Sequence, residues 1–331
     1  MNAPLLKVTG LKKYYAIGSR FPGASPRQLR AVDDVSFSIG HGETLSLVGE
    51  SGCGKSSVGR SILGLFPITD GSIELGGMRI DRLSSEAFRP VRKKLQVVFQ
   101  DPFSSLNPRM KVRDIVAEPL RNFRSDLSRA QIDRKVGDVL DQVGLPRDAI
   151  GRWPHEFSGG QRQRIGIARA LSAEPELIVC DEAVSALDVS VKAQIINLLQ
   201  DLQRELGLAL LFISHDLGIV AHMTHRVAVM YLGKIVEIGT RQEVFCQTRH
   251  PYTKALLSSV PSMKAHGAGS RRIILAGDVP SPVNPPPGCR FHARCPSAMD
   301  RCKVEEPLLV SHGDGHASAC HLNDVNGEPA R

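Results

Sequence analysis

The chain has 331 residues, 42% of them hydrophobic, enough for one large domain or two modest ones with a real core. Its longest apolar runs, such as residues 208–213, are far too short to cross a bilayer, and its first residues lack the long apolar stretch of a signal peptide. A cytosolic chain is therefore expected. Its net charge of +8, from 42 basic and 34 acidic residues, is dispersed in short groups without interleaved aromatics, which favours a solvated surface over a nucleic-acid site.

In chain order, residues 5–80 alternate strand-like runs with turns: LKVTGL, AVDDVSFSI, ETLSLVG and GSIELGGMRI. Residues 18–26 are a loop by their Gly, Pro and Ser content. Val58, Ile62, Leu63 and Phe66 follow helical spacing. A polar, helix-rich middle spans about 101–169. Apolar strands follow at LIVC, LALLFI and RVAVMYL, with a helix at about 191–206 between the first two. This alternation predicts a largely parallel sheet covered by helices. Composition shifts after about residue 250. Small residues at 265–270 read as a linker, and a proline-rich run then precedes a cysteine-containing tail. No internal repeat is present, so one nucleotide cassette is expected.

The strand LSLV runs into Gly49-Glu50-Ser51-Gly52-Cys53-Gly54-Lys55-Ser56, and Ser57 continues into the predicted helix. Strand, glycine loop and helix are the context a P-loop requires. Loop amides and the helix N-terminus direct positive charge at phosphates, and the glycines let the backbone approach. Lys55 adds a point charge at the β/γ-phosphates and Ser56 offers a hydroxyl to Mg²⁺. A second metal-side group should end another buried strand, and Leu177-Ile178-Val179-Cys180-Asp181-Glu182 fits. Asp181 is placed to hold Mg²⁺, and Glu182, one residue on, to polarise the attacking water. Downstream stands Phe157-Ser158-Gly159-Gly160-Gln161, in which a Ser hydroxyl and glycine amides at a helix start make a second anion cradle.

These motifs, with CDEAVSALD and Ser214-His215-Asp216, stand in the order found in the ATP-binding subunits of ABC transporters, which residues 5–260 closely resemble. The resemblance implies an α/β P-loop ABC ATPase cassette: a RecA-like core, an antiparallel β subdomain and an α-helical signature subdomain. Residues 1–250 are assigned to it, and 251–331 to a small cysteine-containing C-terminal module. It further implies that two cassettes pack head to tail, so that Ser158, Gly159, Gly160 and Gln161 of one close over the γ-phosphate held by the other. Gln100 matches the glutamine that touches Mg²⁺ and water, and His215 the histidine on the γ-phosphate. Residues 185–188 match the loop between the two sites, and Tyr15, ahead of Tyr14, the aromatic that stacks on adenine. Taken singly, Gln100 also reads as a strand end, His215 as a core histidine and Tyr15 as ordinary packing. Ala183 departs from the proline many relatives carry after the glutamate.

Within the family, FQDPFSSLNPRM, PHEFSGGQRQRIGIARAL, HPYTKALLSSVP and PSPVNPPPGCRFHARCP resemble importers of dipeptides and oligopeptides, of the OppF/DppF type. Importers of nickel, glutathione and other small solutes share these stretches. The resemblance implies a peripheral ATPase on the cytoplasmic side of the inner membrane. Its expected partners are a sister ATPase forming a heterodimer, two integral permease subunits and, indirectly, an extracytoplasmic solute-binding protein, with no nucleic acid. Residues 103–109 are implied to border the groove for the permease's coupling helix. A soluble ABC-type ATPase on ribosomes or DNA is the main rival, but it usually has two cassettes or a long coiled-coil insertion, and no sustained heptads occur here.

Of seven cysteines, Cys289, Cys295, Cys302 and Cys320 crowd the tail with spacing C-x5-C-x6-C-x17-C. In a cytosolic chain such a group points to a metal before disulfides, and four thiolates suffice for zinc or a [4Fe–4S] cluster. The close C-x2-4-C pairs usual for zinc are missing. The family resemblance implies a [4Fe–4S] cluster; zinc and no metal remain the alternatives.

Overall fold

The computed structural model describes residues 3–18, 27–260, 273–313 and 315–323. Most of the expected loop at 18–26 and the whole expected linker at 265–270 lie outside them. The strands are β1 (Leu6–Ile17), β2 (Arg27–Ile39), β3 (Thr44–Val48), β4 (Asp70–Leu75), β5 (Met78–Arg79), β6 (Leu95–Val98), β7 (Leu177–Asp181), β8 (Ala209–Ser214), β9 (Arg226–Tyr231), β10 (Lys234–Thr240), β11 (Val310–Ser311) and β12 (Ala317–Ser318). The helices are α1 (Lys55–Ile62), α2 (Arg89–Lys94), α3 (Pro102–Ser105), α4 (Val112–Phe123), α5 (Arg129–Gln142), α6 (Gly159–Ser172), α7 (Val189–Leu206), α8 (Leu217–Met223), α9 (Arg241–Cys246), α10 (Pro251–Ser258) and α11 (Asp300–Val304).

Chain contacts divide the molecule into two compact units. The first comprises Met1–Leu6, Ile39–Thr44 and Leu75–Ile213. Its strands β6, β7 and β8 run parallel in that order, with Val98 opposite Cys180 and Cys180 opposite Phe212. Strand β7 is buried at every residue, as the unbroken apolar run LIVC requires of a strand covered on both faces. Helices α4, α5 and α6 pack on one another. In α5 the buried Ile132, Val136 and Leu140 recur every fourth residue and form one stripe. Ser128 and Gln131 close its first turn with a reciprocal capping box. Each fully buried aliphatic side chain contributes roughly 1.5–3 kcal/mol.

The second unit comprises Lys7–Ser38, Leu45–Glu74 and Ser214–Arg331. Strands β2, β1 and β4 are neighbours in that order. Strand β3 lies parallel to β9, with Leu47 opposite Ala228. Strand β10 turns back antiparallel to β9, with an irregularity between Ile235 and Glu237. Beyond it the tail adds β12, pairing Ile238 with Ala317, and then β11. The tail is tied down by two buried charge networks. Arg290 donates to Asp33, which also accepts from the Tyr14 hydroxyl. Glu237, fully buried, accepts from the backbone N–H of Arg249 at 2.7 Å and of His250 at 3.1 Å, and from His316 Nε2 at 2.9 Å. Burial alone would raise the Glu237 carboxyl; these donors outweigh it and hold it below the usual range. Phe291 of the tail sits among Tyr231, Tyr252 and His250, with ring centroids 5.2–5.8 Å away.

Candidate functional site: a phosphate loop and its companion residues

In the second unit, residues 49–54 connect the end of β3 to the start of α1, whose first two residues are Lys55 and Ser56. Gly54 is the helix N-cap at φ 106°, and a Cβ there would fall 1.9 Å from the Ala31 carbonyl oxygen. Only glycine satisfies both constraints. A Cβ on Gly52 would instead meet nothing within 4 Å, so this edge of the loop is open to a ligand. Helix α1 has no side-chain N-cap and no acidic residue in its first turn. A helix start of this kind favours an anion, with the helix dipole behind it. The Lys55 side chain is 4% exposed, and its ammonium donates to the carbonyls of Gly49 at 2.8 Å and Glu50 at 3.0 Å. Cys53 is buried with Sγ 3.8 Å from that ammonium. Burial outweighs the nearby cation and pushes its thiol up, while its N–H donates to the Glu50 carbonyl at 3.3 Å within the loop.

Tyr15 and Tyr14 part company. The Tyr14 hydroxyl is committed to Asp33. The Tyr15 hydroxyl points at Ser57 Oγ, 3.5 Å away, and its ring stands edge-on to Phe66. Tyr15 therefore faces the first turn of α1. His215, between β8 and α8, is exposed, which removes the core-histidine reading. The next residue, Asp216, caps α8 by accepting from the N–H groups of Gly218 and Ile219 at 3.0 and 3.2 Å.

In the first unit, Asp181 closes β7 and is 7% exposed. Glu182 follows at φ 51°, a left-handed conformation that costs a non-glycine residue on the order of 1–3 kcal/mol. It is held there because its N–H donates to Ile213 O at 3.0 Å and its carbonyl accepts from the Ser185 N–H and hydroxyl, both at 3.0 Å. Gln100 is exposed, two residues beyond β6. Gln163 of α6, buried, donates to the Phe99 carbonyl at 3.3 Å and so fixes the chain just before Gln100. Sequence reading had no signal for that role.

Ser158 caps α6: its Oγ accepts from the Gln161 N–H at 3.4 Å while Gln161 Oε1 accepts from the Ser158 N–H at 3.0 Å. The Ser-x-x-Gln spacing is the sequence mark of that box. Capping by acceptance leaves the hydroxyl proton and the Gln161 amide protons to donate outward. Gly159 is half-buried. Gly160 is buried, and a Cβ on it would lie 2.4 Å from Val191 Cγ1. Close approach of α6 to α7 explains this glycine independently of any phosphate.

Ser56 in the second unit, and Asp181 and Gln100 in the first, each offer an oxygen, the donor type that a hard cation such as Mg²⁺ takes. In the tail, the Cys289 thiol lies within electrostatic reach of Cys295, Cys302 and Cys320, and burial, reinforced by them, pushes it up to about 11. The Cys289 N–H donates to the Cys302 carbonyl at 2.8 Å. Among the described residues no three His, Cys, Asp or Glu side chains form a group that would hold one metal ion. The four tail thiols are therefore not drawn together around one ion as placed. They match a four-iron cluster in number and chemistry.

The family described as "ABC transporter" matches residues 32–185, and "Oligopeptide/dipeptide transporter, C-terminal region" matches residues 236–302. The chain is 51% identical to the oligopeptide transport ATP-binding protein AppF of Bacillus subtilis, over 96% of this chain and 97% of that one. It is 50% identical to the oligopeptide transport ATP-binding protein OppF of Salmonella typhimurium, over 96% and 95%. The chain belongs to the ATP-binding proteins of oligopeptide-type ABC transporters, and it is an ABC-type ATPase. The cassette fold agrees. The solved structure of cbiO1 from Clostridium perfringens, part of the ABC transporter complex cbiONQ, matches at TM-score 0.64 and 27% identity, over 74% of this chain and 92% of that one. A dimeric ATP-binding cassette in a post-hydrolysis state, bound to ADP and Pi, matches at 0.63 and 25%, over 71% and 98%. No helix among the described residues is long and apolar enough to cross a membrane. Such an ATPase works as a component of a membrane-associated transporter.

Proposed function

We propose that this chain powers the uptake of dipeptides and oligopeptides as a peripheral ATPase on the cytoplasmic face of the inner membrane. The observation that carries the reading is the phosphate loop, with its uncapped helix start and buried Lys55, in a chain half identical to proteins named for oligopeptide transport. Residues 1–250 form the ATPase cassette and 251–331 the C-terminal module.

The amides of Gly49, Ser51, Gly52, Cys53 and Gly54 cradle the triphosphate of ATP, and Lys55 and Ser57 complete its protein contacts, with Tyr15 against the adenine. Ser56, Asp181 and Gln100 would hold Mg²⁺, which would supply positive charge to offset that of the β- and γ-phosphates. Glu182 orients and deprotonates the attacking water, and His215 donates to the γ-phosphate. Ser158, Gly159, Gly160 and Gln161 serve the site of a sister subunit, the Ser158 hydroxyl donating to that site's γ-phosphate. Closure and reopening of the heterodimer drive two permease subunits fed by a solute-binding protein. The 59% exposed Phe103, with the Arg162 guanidinium 4.2 Å over its ring, supports residues 103–109 as the edge of the coupling groove.

Deleting the gene should abolish growth on di- and oligopeptides as sole amino-acid source, with growth on free amino acids intact. Unimpaired peptide growth together with lost uptake of nickel or glutathione would assign another solute. Co-purification with ribosomes and without permease subunits would overturn the importer reading.

The tail cysteines Cys289, Cys295, Cys302 and Cys320 hold a [4Fe–4S] cluster of structural role. The number of thiols in the tail, with Cys289 within electrostatic reach of the other three, supports this reading. Anaerobically purified protein should be brown and contain iron and sulfide. Colourless protein with stoichiometric zinc ends the cluster proposal.

A further inference from the structure

One side chain of the cysteine tail reaches the phosphate loop. Arg294, last residue of the single turn His292–Arg294, forks onto Glu50: Nη1 donates to Oε2 at 2.7 Å and Nη2 to Oε1 at 3.1 Å. The guanidinium side chain is 9% exposed and the carboxylate side chain 28%. Such a two-pronged, partly desolvated pair fixes both planes as well as both charges.

Glu50 is the second residue of the loop, and it is gripped at each of its polar groups. Its N–H donates to the Tyr252 hydroxyl at 2.9 Å, so this amide is turned away from the phosphate side. Its carbonyl accepts from Lys55 at 3.0 Å and from the Cys53 N–H at 3.3 Å. Its carboxylate belongs to Arg294. The turn that presents Arg294 is itself rigid: the His292 N–H donates to Cys289 O and the Arg294 N–H to Phe291 O, both at 3.0 Å. Phe291 packs on Tyr252, the residue that holds the Glu50 amide.

An unpaired carboxylate in this loop would repel a triphosphate and be free to draw Lys55 to itself. We propose that Arg294 is a positioning residue for nucleotide binding: by neutralising and fixing Glu50 it keeps the loop and Lys55 set for phosphate. The C-terminal module thus contributes to the ATP site of its own chain. This rests on residues 49–56 being the phosphate cradle.

The test is a double-mutant cycle on the full-length chain, titrated with the fluorescent analogue methylanthraniloyl-ATP and Mg²⁺. Arg294→Ala should weaken binding about tenfold when Glu50 is charged. In the Glu50→Gln background the same substitution should change binding less than about twofold, because no charge is left to neutralise. A tail that merely unfolds would lose affinity equally in both backgrounds, and that result overturns the proposal. So does unchanged binding by Arg294→Ala. Lys55→Ala, measured alongside, separates the two levels of the reading. If it binds as the wild type does, the phosphate cradle itself is misassigned. If it loses binding while Arg294→Ala does not, only the role of Arg294 falls.

Discussion

Glu182→Gln is expected to lower steady-state ATP hydrolysis by about a hundredfold or more, the usual range for loss of a general base. ATP affinity should be retained or slightly improved, since the change removes a negative charge from a site for a polyanion. The amide keeps the shape and hydrogen-bonding reach of the carboxylate. The backbone at φ 51° is fixed by main-chain and Ser185 contacts that the substitution does not touch. The effect should therefore fall on kcat with binding intact, and single-turnover and equilibrium-binding measurements separate the two. Turnover near the wild-type rate would remove Glu182 from the reaction.

Lys55→Ala should weaken ATP binding by roughly ten- to a hundredfold, the value of one charge-assisted contact in a partly desolvated site. It also leaves the carbonyls of Gly49 and Glu50 without the cation that bridges them, so thermal stability should fall as well. A calorimetric titration with ATP, beside a melting curve, resolves the two losses. Unchanged affinity and turnover would mean that the loop serves no phosphate.

Much of this site was legible because its residues act locally. The eight-residue loop, the strand that ends in Asp181 and the Ser-x-x-Gln cap each declare their geometry within a few positions, and the structure places β3–α1, β7 and α6 accordingly. What sequence reading passed over are the contacts whose partners lie far along the chain. Gly160 is small because Val191 lies against it. Gln163 is buried because it reaches Phe99 across a separation of 64 residues. Arg294 and Glu50 are 244 residues apart, and nothing near either one announces the other. Strand β12 is only two residues long and has no periodicity to detect; its partner on β10 defines it.

That short pairing has a consequence for solubility. Without it, β10 would present a row of unpaired amides and carbonyls beside Ile235, Val236 and Ile238, an apolar template for another chain's strand. The two residues of β12, backed by β11, occupy part of this edge, and His316 seals the carboxylate of Glu237 behind them. This stretch of the tail therefore acts as a guard against aggregation, a duty separate from anything its cysteines do.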